Sequence, residues 1–190
     1  MAVTALETPQ PSQAARLALW FLIGSEVIIF GSAVVCFLLL RLNRPDWAAE
    51  MAHLSRGAGL LNTVVLLTSS LTMALAHAAA EDLDQAKASR RLLLTLGLAA
   101  LFLCVKGWEY QQKFHHGLLP SHGVFWAFYF LLTGLHALHV VAGMIAIAVL
   151  WRQAATDTLA PRLHRVELTG LYWHLVDIVW IFLFPLLYLS

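Results

Sequence analysis

Long apolar stretches alternate with short polar connectors along nearly the whole chain. Five of these stretches are long enough to cross the roughly 30 Å hydrocarbon core of a bilayer as a helix rising about 1.5 Å per residue. They occupy residues 17–40, 59–80, 92–110, 123–151 and 168–189. The connectors are short, and no internal repeat is visible. The pattern therefore predicts an all-α membrane protein, built as a bundle of five transmembrane helices.

The N-terminal segment MAVTALETPQPSQAAR is polar and contains proline. We predict a disordered tail over residues 1–16 and a single five-helix transmembrane domain over residues 17–190. The first apolar stretch has about 24 residues, which is too long for the apolar region of a signal peptide, and no A-x-A pattern follows it. We therefore interpret this stretch as a retained first span.

The composition agrees with a polytopic membrane protein. Hydrophobic residues make up 60% of the chain and charged residues only 12%, whereas a soluble domain has about 25% charged residues. The net charge of +1 gives no indication of nucleic-acid binding. The two cysteines, Cys36 and Cys104, lie within apolar stretches and form no CxxC motif, so we interpret them as inert thiols of the core.

The distribution of lysine and arginine predicts the orientation, because cytoplasmic connectors carry an excess of these residues. With the N-terminus inside, the inner segments hold Arg16, Lys87, Arg90, Arg91, Arg152, Arg162 and Arg165, and the outer segments hold Arg41, Arg44, Arg56 and Lys113. This bias predicts an inner N-terminus and an outer C-terminus. Trp108 and Tyr188 lie near the ends of their spans, as interfacial aromatic residues do.

Ionisable residues inside a span are costly, so each is a candidate functional residue. Glu26 lies in the middle of the first span, where Gly24 and Gly31 belong to a small-residue face suited to close helix packing. We expect its carboxyl to face the bundle and to be neutral or hydrogen-bonded. Two interpretations remain open: a buried structural carboxyl, or a group that handles protons or senses lipid.

A second group of charges lies on the third span, where Lys106, Glu109 and Lys113 are three and then four residues apart. This spacing places them on one face of a helix, with Glu109 and Lys113 in the favourable order for an ion pair. We interpret them as a self-neutralising stripe that extends toward the outer surface, rather than as a site.

Histidines in the fourth span and a histidine–aspartate pair in the fifth could meet. His136 and His139 share one helix face, and His174 and Asp177 share another. We predict a buried polar network of His136, His139, His174, Asp177 and Glu109, with imidazole N–H groups donating to Asp177 or to backbone carbonyls.

Metal or haem ligation by these histidines has less support. The spacing of His122 and His136 resembles that of haem ligands in cytochrome b proteins, but no second span carries a matching pair. Zinc needs three or four ligands and a second shell of hydrogen bonds, and no HExxH motif is present. We therefore predict no metal, no haem and no catalytic residue in this chain.

Four motifs occur in an order that resembles subunit III of the haem-copper respiratory oxidases. They are SEVIIF at 25–30, WEYQQKFHHG at 108–117, TGLHALHVVAG at 133–143 and YWHLVDIVWIFLF at 172–184. The resemblance covers nearly the whole chain from the first span onward. Longer members of the family have seven helices, so this chain is similar to the short, five-helix bacterial form.

The resemblance implies a subunit without redox centres in the bacterial cytoplasmic (inner) membrane. Such a subunit binds the side of subunit I, which holds the haem and copper, in a complex that also contains subunit II. It supports proton uptake, stabilises the catalytic subunit and holds structural phospholipids. Glu26 matches the family's buried, carbodiimide-reactive carboxylate, and Arg152 matches a position that neutralises a lipid phosphate.

One departure from the family pattern keeps an alternative open. Lys106 stands where many oxidase subunits have glutamine, which is similar to accessory members associated with nitric-oxide reductases. A small independent membrane transporter using Glu26 and Asp177 is an alternative from another class, although transporters are usually larger and often contain inverted repeats. A catalytic oxidoreductase is disfavoured by the missing ligand set.

Overall fold

The computed structural model describes residues 13–44, 47–159 and 163–189. Its helices are α1 (Gln13–Leu42), α2 (Trp47–Met51), α3 (Arg56–Glu81), α4 (Gln85–His115), α5 (Val124–Ala155) and α6 (Leu163–Phe184). A 3-10 turn, Pro120–His122, precedes α5, and a π-helical turn, Pro185–Leu189, follows α6. The described residues contain no strand.

Five of these helices, all except the short α2, are long and apolar enough to cross a membrane. The prediction of an all-helical protein with five spans is therefore confirmed, and the chain is a multi-pass membrane protein. Helix α2 lies in the first connector and was not predicted. Helix α1 begins at Gln13, so the last four residues of the predicted tail are helical, while residues 1–12 lie outside the described part of the chain.

Helices α3 and α4 form an antiparallel hairpin with a connector of three residues. Asp84 caps α4 by accepting a hydrogen bond from the backbone N–H of Lys87 at 3.0 Å, and the Lys87 ammonium lies 2.7 Å from the same carboxylate. These bonds hold the pKa of Asp84 below its usual value. Deeper in the hairpin, the hydroxyls of Thr72 and Thr95 are 2.8 Å apart, which links the two helices across their interface.

Close packing of α5 against α6 depends on Gly143. A methyl group on this residue would lie 2.6 Å from a carbon of the Trp173 ring, well inside van der Waals contact. The glycine therefore lets the large indole approach the α5 backbone. Such small residues are the usual means by which membrane helices approach each other closely.

Helix α1 lies at the side of the bundle and buries few residues. Phe37 is fully buried and packs against Trp47, Phe125 and Phe128. Trp20 and many other large side chains of α1 are exposed. This exposed apolar face is suited to lipid or to another protein within a membrane, and not to water.

Two predictions about small residues are wrong within the described structure. A methyl group on Gly24 or Gly31 would meet nothing within 4 Å, so the small-residue face of α1 is not packed against this chain. Cys36 and Cys104 are exposed on the outside of the bundle and do not belong to its core. Both errors have one cause: a uniformly apolar span does not show which face meets protein.

Candidate functional site

Glu26 and His139 form a pair between α1 and α5. A carboxylate oxygen of Glu26 lies 3.0 Å from Nε2 of His139, and Glu26 is only 9% exposed. The other ring nitrogen of His139, Nδ1, lies 2.7 Å from the backbone carbonyl of Leu135. Because a carbonyl oxygen only accepts, Nδ1 must carry a hydrogen. Nε2 faces the carboxyl group of Glu26 at that 3.0 Å contact, although Oε2 of Glu26 has no hydrogen-bond partner of acceptable geometry among the described residues.

A cavity of about 280 Å³ lies beside this pair, between α1 and α6. Glu26 is the one ionisable residue in its wall, and the remaining lining residues are Val27, Phe30, Gly31, Val34, Leu175, Ile178, Val179, Phe182 and Leu183. The ring of Phe30 also meets the His139 imidazole edge to face at 5.5 Å. The Glu26–His139 pair thus lies at the edge of an apolar space.

His136 is separate from this pair although it is on the same helix. It is fully buried, and neither ring nitrogen has a hydrogen-bond partner among the described residues. Its ring packs against Phe102 at 5.5 Å and Trp180 at 5.2 Å. The prediction that imidazoles donate to backbone carbonyls therefore holds for His139 and is wrong for His136.

His174 and Asp177 face α3 rather than the histidines of α5. Nδ1 of His174 is hydrogen-bonded to the hydroxyl of Ser70. The buried Asp177 lies near the same serine, yet neither of its carboxylate oxygens has a hydrogen-bond partner among the described residues. No ion pair between Asp177 and a histidine occurs in the described part of the chain. The predicted network is therefore wrong as one unit, because its residues are divided among separate helix interfaces.

The charges of α4 form a third cluster, buried inside the bundle. Lys106 is 3% exposed and Glu109 is 2% exposed. The ammonium of Lys106 donates to Glu109 at 3.0 Å, to the Tyr188 hydroxyl at 2.8 Å and to the Tyr129 hydroxyl at 3.2 Å. Tyr188 in turn donates to Glu109 at 2.8 Å. All three donors of the ammonium are used.

Aromatic rings enclose the same ammonium. The ring centroids of Tyr110, Tyr129, Trp180 and Tyr188 lie 4.9 to 5.4 Å from it, within the range of cation–π attraction. The electron-rich faces of these rings and the carboxylate of Glu109 replace the water that the cation loses on burial. Tyr188, which we expected at the membrane interface, is buried.

The prediction of a charged stripe that extends toward the outer surface is wrong, because Lys113 is buried. It is 6% exposed, and its ammonium donates to the backbone carbonyl of His53 in the α2–α3 connector. Glu109 pairs with Lys106 and not with Lys113. The sequence allowed either pairing on one helix face, and the choice depends on Tyr188, which is distant along the chain.

Arg152 is exposed in the last turn of α5, where a cation is favoured by the partial negative charge of the helix end. None of the described acidic residues forms an ion pair with it.

Among the described residues, no group of three or more His, Cys, Asp or Glu side chains could hold a metal ion. The residues missed by sequence reasoning are Tyr129, Tyr188, Ser70 and the His53 carbonyl, which act through contacts that helical periodicity does not report.

Comparison with known proteins gives consistent matches. The family described as cytochrome c oxidase subunit III matches residues 7–190. The chain is 31% identical over 170 residues to cytochrome c oxidase subunit 3 of Corynebacterium diphtheriae, which covers 87% of this chain and 83% of that protein. It is 33% identical over 182 residues to cytochrome c oxidase subunit 3 of Alkalihalophilus pseudofirmus, covering 91% and 85%.

A longer relative has a composite name. The chain is 33% identical over 189 residues to the heme-copper oxidase subunit I+III of Aeropyrum pernix, which covers 95% of this chain. The match spans only 23% of that relative's length. Most of the Aeropyrum protein therefore has no counterpart in this chain.

Proposed function

The chain belongs to the cytochrome c oxidase subunit III family, and from this premise we propose that it is the non-catalytic subunit III of a proton-pumping haem-copper terminal oxidase. It binds the side of subunit I, which carries the haem and copper, in a complex that also contains subunit II. The Aeropyrum relative, whose name joins subunits I and III, supports the contact with subunit I. This chain has the role of a supporting subunit and supplies no redox centre.

The proposed location is the bacterial cytoplasmic membrane, with the N-terminus inside. The first two turns of α4 carry Lys87, Arg90 and Arg91, which favours the cytoplasm for this end of the bundle. Arg152 ends α5 at the same side and is proposed to bind the phosphate of a structural phospholipid. Its exposed guanidinium, with no acidic partner described, is available for such an anion.

The observation that carries a role in proton uptake is the 3.0 Å contact between the carboxyl group of Glu26 and Nε2 of His139. An isolated charge inside a bilayer is costly. A carboxyl group next to an imidazole offers a proton two acceptor groups in one place, so neither group has to carry an isolated charge. Glu26 and His139 can therefore hold a proton at mid-span beside an apolar cavity and support uptake by the catalytic subunit.

The test uses the assembled complex with Glu26→Gln, Glu26→Ala and His139→Gln variants. Glu26→Gln keeps the shape of the side chain, so we expect normal assembly and an initial turnover close to that of the wild type. Over many turnovers, oxygen consumption should fall faster or proton uptake should weaken, and Glu26→Ala should also loosen packing. His139→Gln should give the same result as Glu26→Gln, since each removes one half of the pair.

The matched control is Glu81→Gln, which makes the same chemical change at an exposed position at the end of α3. If both Glu26 variants match the wild type in rate, lifetime and proton release, Glu26 is a structural carboxyl and the proton role is wrong. Co-purification in mild detergent tests the subunit assignment separately. Recovery of a nitric-oxide reductase would favour the accessory alternative, and recovery of no redox protein would contradict both.

A further inference from the structure

A groove at the end of α4 shares Lys113 and His53 with the charged cluster described above and is otherwise separate from it. It has a volume of about 580 Å³ and is lined by His53, Trp108, Gln112, Lys113, His116 and Leu118. The wall is formed by α4, the α2–α3 connector and the turn that follows α4. It lies at the opposite end of the bundle from Arg152, because α4 and α5 run antiparallel and Arg152 is at the far end of α5.

The polar part of this groove offers hydrogen-bond donors and no acidic side chain. Lys113 has three N–H donors, of which one bonds the His53 carbonyl, and Gln112 and His116 contribute further N–H groups. The nearest acid along the helix, Glu109, is held by Lys106 and Tyr188 inside the bundle. The groove is therefore suited to an anion and not to a cation.

The other part of the groove is apolar and lies deeper in the membrane. Trp108, Gln112 and His116 follow one another at intervals of four residues, so they form a row about 12 Å long on the helix surface. Trp108 is 54% exposed. Each headgroup layer of a bilayer is only about 5–8 Å thick. The row therefore begins among the headgroups, at His116, and ends against the acyl chains, at Trp108.

We propose that this groove binds a glycerophospholipid with an anionic headgroup. Its phosphate lies against Lys113 and His116, and the upper part of one acyl chain packs on the ring of Trp108. Hydrogen-bond donors and an exposed indole lie along one row of the helix. The donors fit the phosphate of the lipid headgroup, and the indole fits the acyl chain. The proposal depends neither on the oxidase assignment nor on which side of the membrane this end faces.

The experiment measures quenching of Trp108 fluorescence by bromine atoms placed high in the acyl chains. The purified full-length protein, with any subunits that accompany it, is reconstituted in phosphatidylcholine nanodiscs. A small fraction of the lipid is either brominated phosphatidylglycerol or brominated phosphatidylcholine. The signal of Trp108 is obtained by difference from Trp108→Phe. We expect about a fivefold preference for the anionic lipid, the effect of roughly one basic residue at a membrane surface.

Two variants test the phosphate contacts. His116→Glu places a negative charge in the groove without touching the buried Lys113, and it should abolish the preference for phosphatidylglycerol. Its matched control is His115→Glu, since His115 is exposed at the same depth but does not line the groove. Lys113→Met should also abolish the preference. Because Lys113 is buried, the circular dichroism of the Lys113→Met variant is compared with that of the wild type, to verify that the variant keeps its helices.

The proposal is wrong if wild-type Trp108 is quenched equally by the two brominated lipids. Equal loss of preference in His115→Glu and His116→Glu would also overturn it, since this would indicate a general surface charge. Soluble glycerol phosphate separates a lipid site from a site for free phosphate. Glycerol phosphate should leave the quenching of Trp108 by brominated phosphatidylglycerol unchanged. If glycerol phosphate removes this quenching at the same concentration as the lipid, the groove binds free phosphate and the proposed lipid site is wrong.

Discussion

Replacing Lys106 by methionine removes the cation at the centre of the buried cluster and leaves Glu109 without its charged partner. Breaking a buried ion pair from one side destabilises a protein by about 3–5 kcal/mol. Glu109 keeps its hydrogen bond from Tyr188 at 2.8 Å. We therefore expect a loss near the lower limit, about 3 kcal/mol in the free energy of unfolding.

The double variant decides whether this loss arises from the pair. Glu109→Leu alone leaves a buried ammonium among aromatic rings and should also cost about 3 kcal/mol. Replacing both partners by apolar groups removes both charges, which is often close to neutral relative to the intact ion pair. Lys106→Met/Glu109→Leu should therefore cost no more than either single variant, which corresponds to a coupling energy of at least about 3 kcal/mol.

The assay is reversible unfolding of the purified protein in mixed micelles with increasing dodecyl sulfate, followed by circular dichroism. Lys87→Met is the control, since it removes a lysine from a surface pair at the other end of the same helix, and its midpoint should not move. The reasoning is refuted if Lys106→Met unfolds at the wild-type midpoint. It is also refuted if the two single losses simply add in the double variant, because the charges would then not be coupled.

Three further outcomes follow from the structure. Gly143→Ala should cost about 1–3 kcal/mol through overpacking, whereas Gly24→Ala, at an open position, should leave the unfolding midpoint unchanged. Arg152→Ala should lower the phospholipid content found by mass spectrometry of the purified complex, and unchanged content would contradict the lipid role. Cysteines introduced at Asp84 and His116 should be labelled from opposite sides of the membrane, with periplasmic labelling at Asp84 contradicting the orientation.

The sequence was sufficient to predict the helices that cross the membrane, because length and apolarity are properties of each segment alone. It also indicated that Glu26 faces the bundle, since the cost of a lipid-facing carboxyl is independent of the fold. Helix α2 could not be predicted in the same way. It has only five residues, and so short a helix depends on packing rather than on its own propensity.

The side-chain partners could not be predicted, because they depend on which helices are neighbours. Lys106 and Lys113 are both within one turn of Glu109, and periodicity favours neither. The contact that decides between them is with Tyr188, on a turn 79 residues after Glu109. In the same way, the histidines of α5 and the His174–Asp177 pair have suitable spacing, but α6 presents its pair to Ser70 of α3.

The ion pair of Lys106 and Glu109 also has a consequence for biosynthesis. Each charged residue within a span opposes insertion into the membrane, by up to about 2.5–3.5 kcal/mol at the centre of the helix. These two residues are three apart on the same helix and already bond each other at 3.0 Å. Helix α4 can therefore leave the translocon with its charges paired, before either of the two following spans has been made.

The hydroxyl that completes the pair comes from Tyr188, in the π-helical turn that follows α6. Insertion of α4 and completion of its polar cluster are therefore separated by the synthesis of two further spans. A nascent chain stopped before the turn Pro185–Leu189 would contain all of α1 to α6, yet its central ammonium would lack the Tyr188 hydroxyl. The interior of the bundle is thus completed only after the fifth span and the turn behind it have been made.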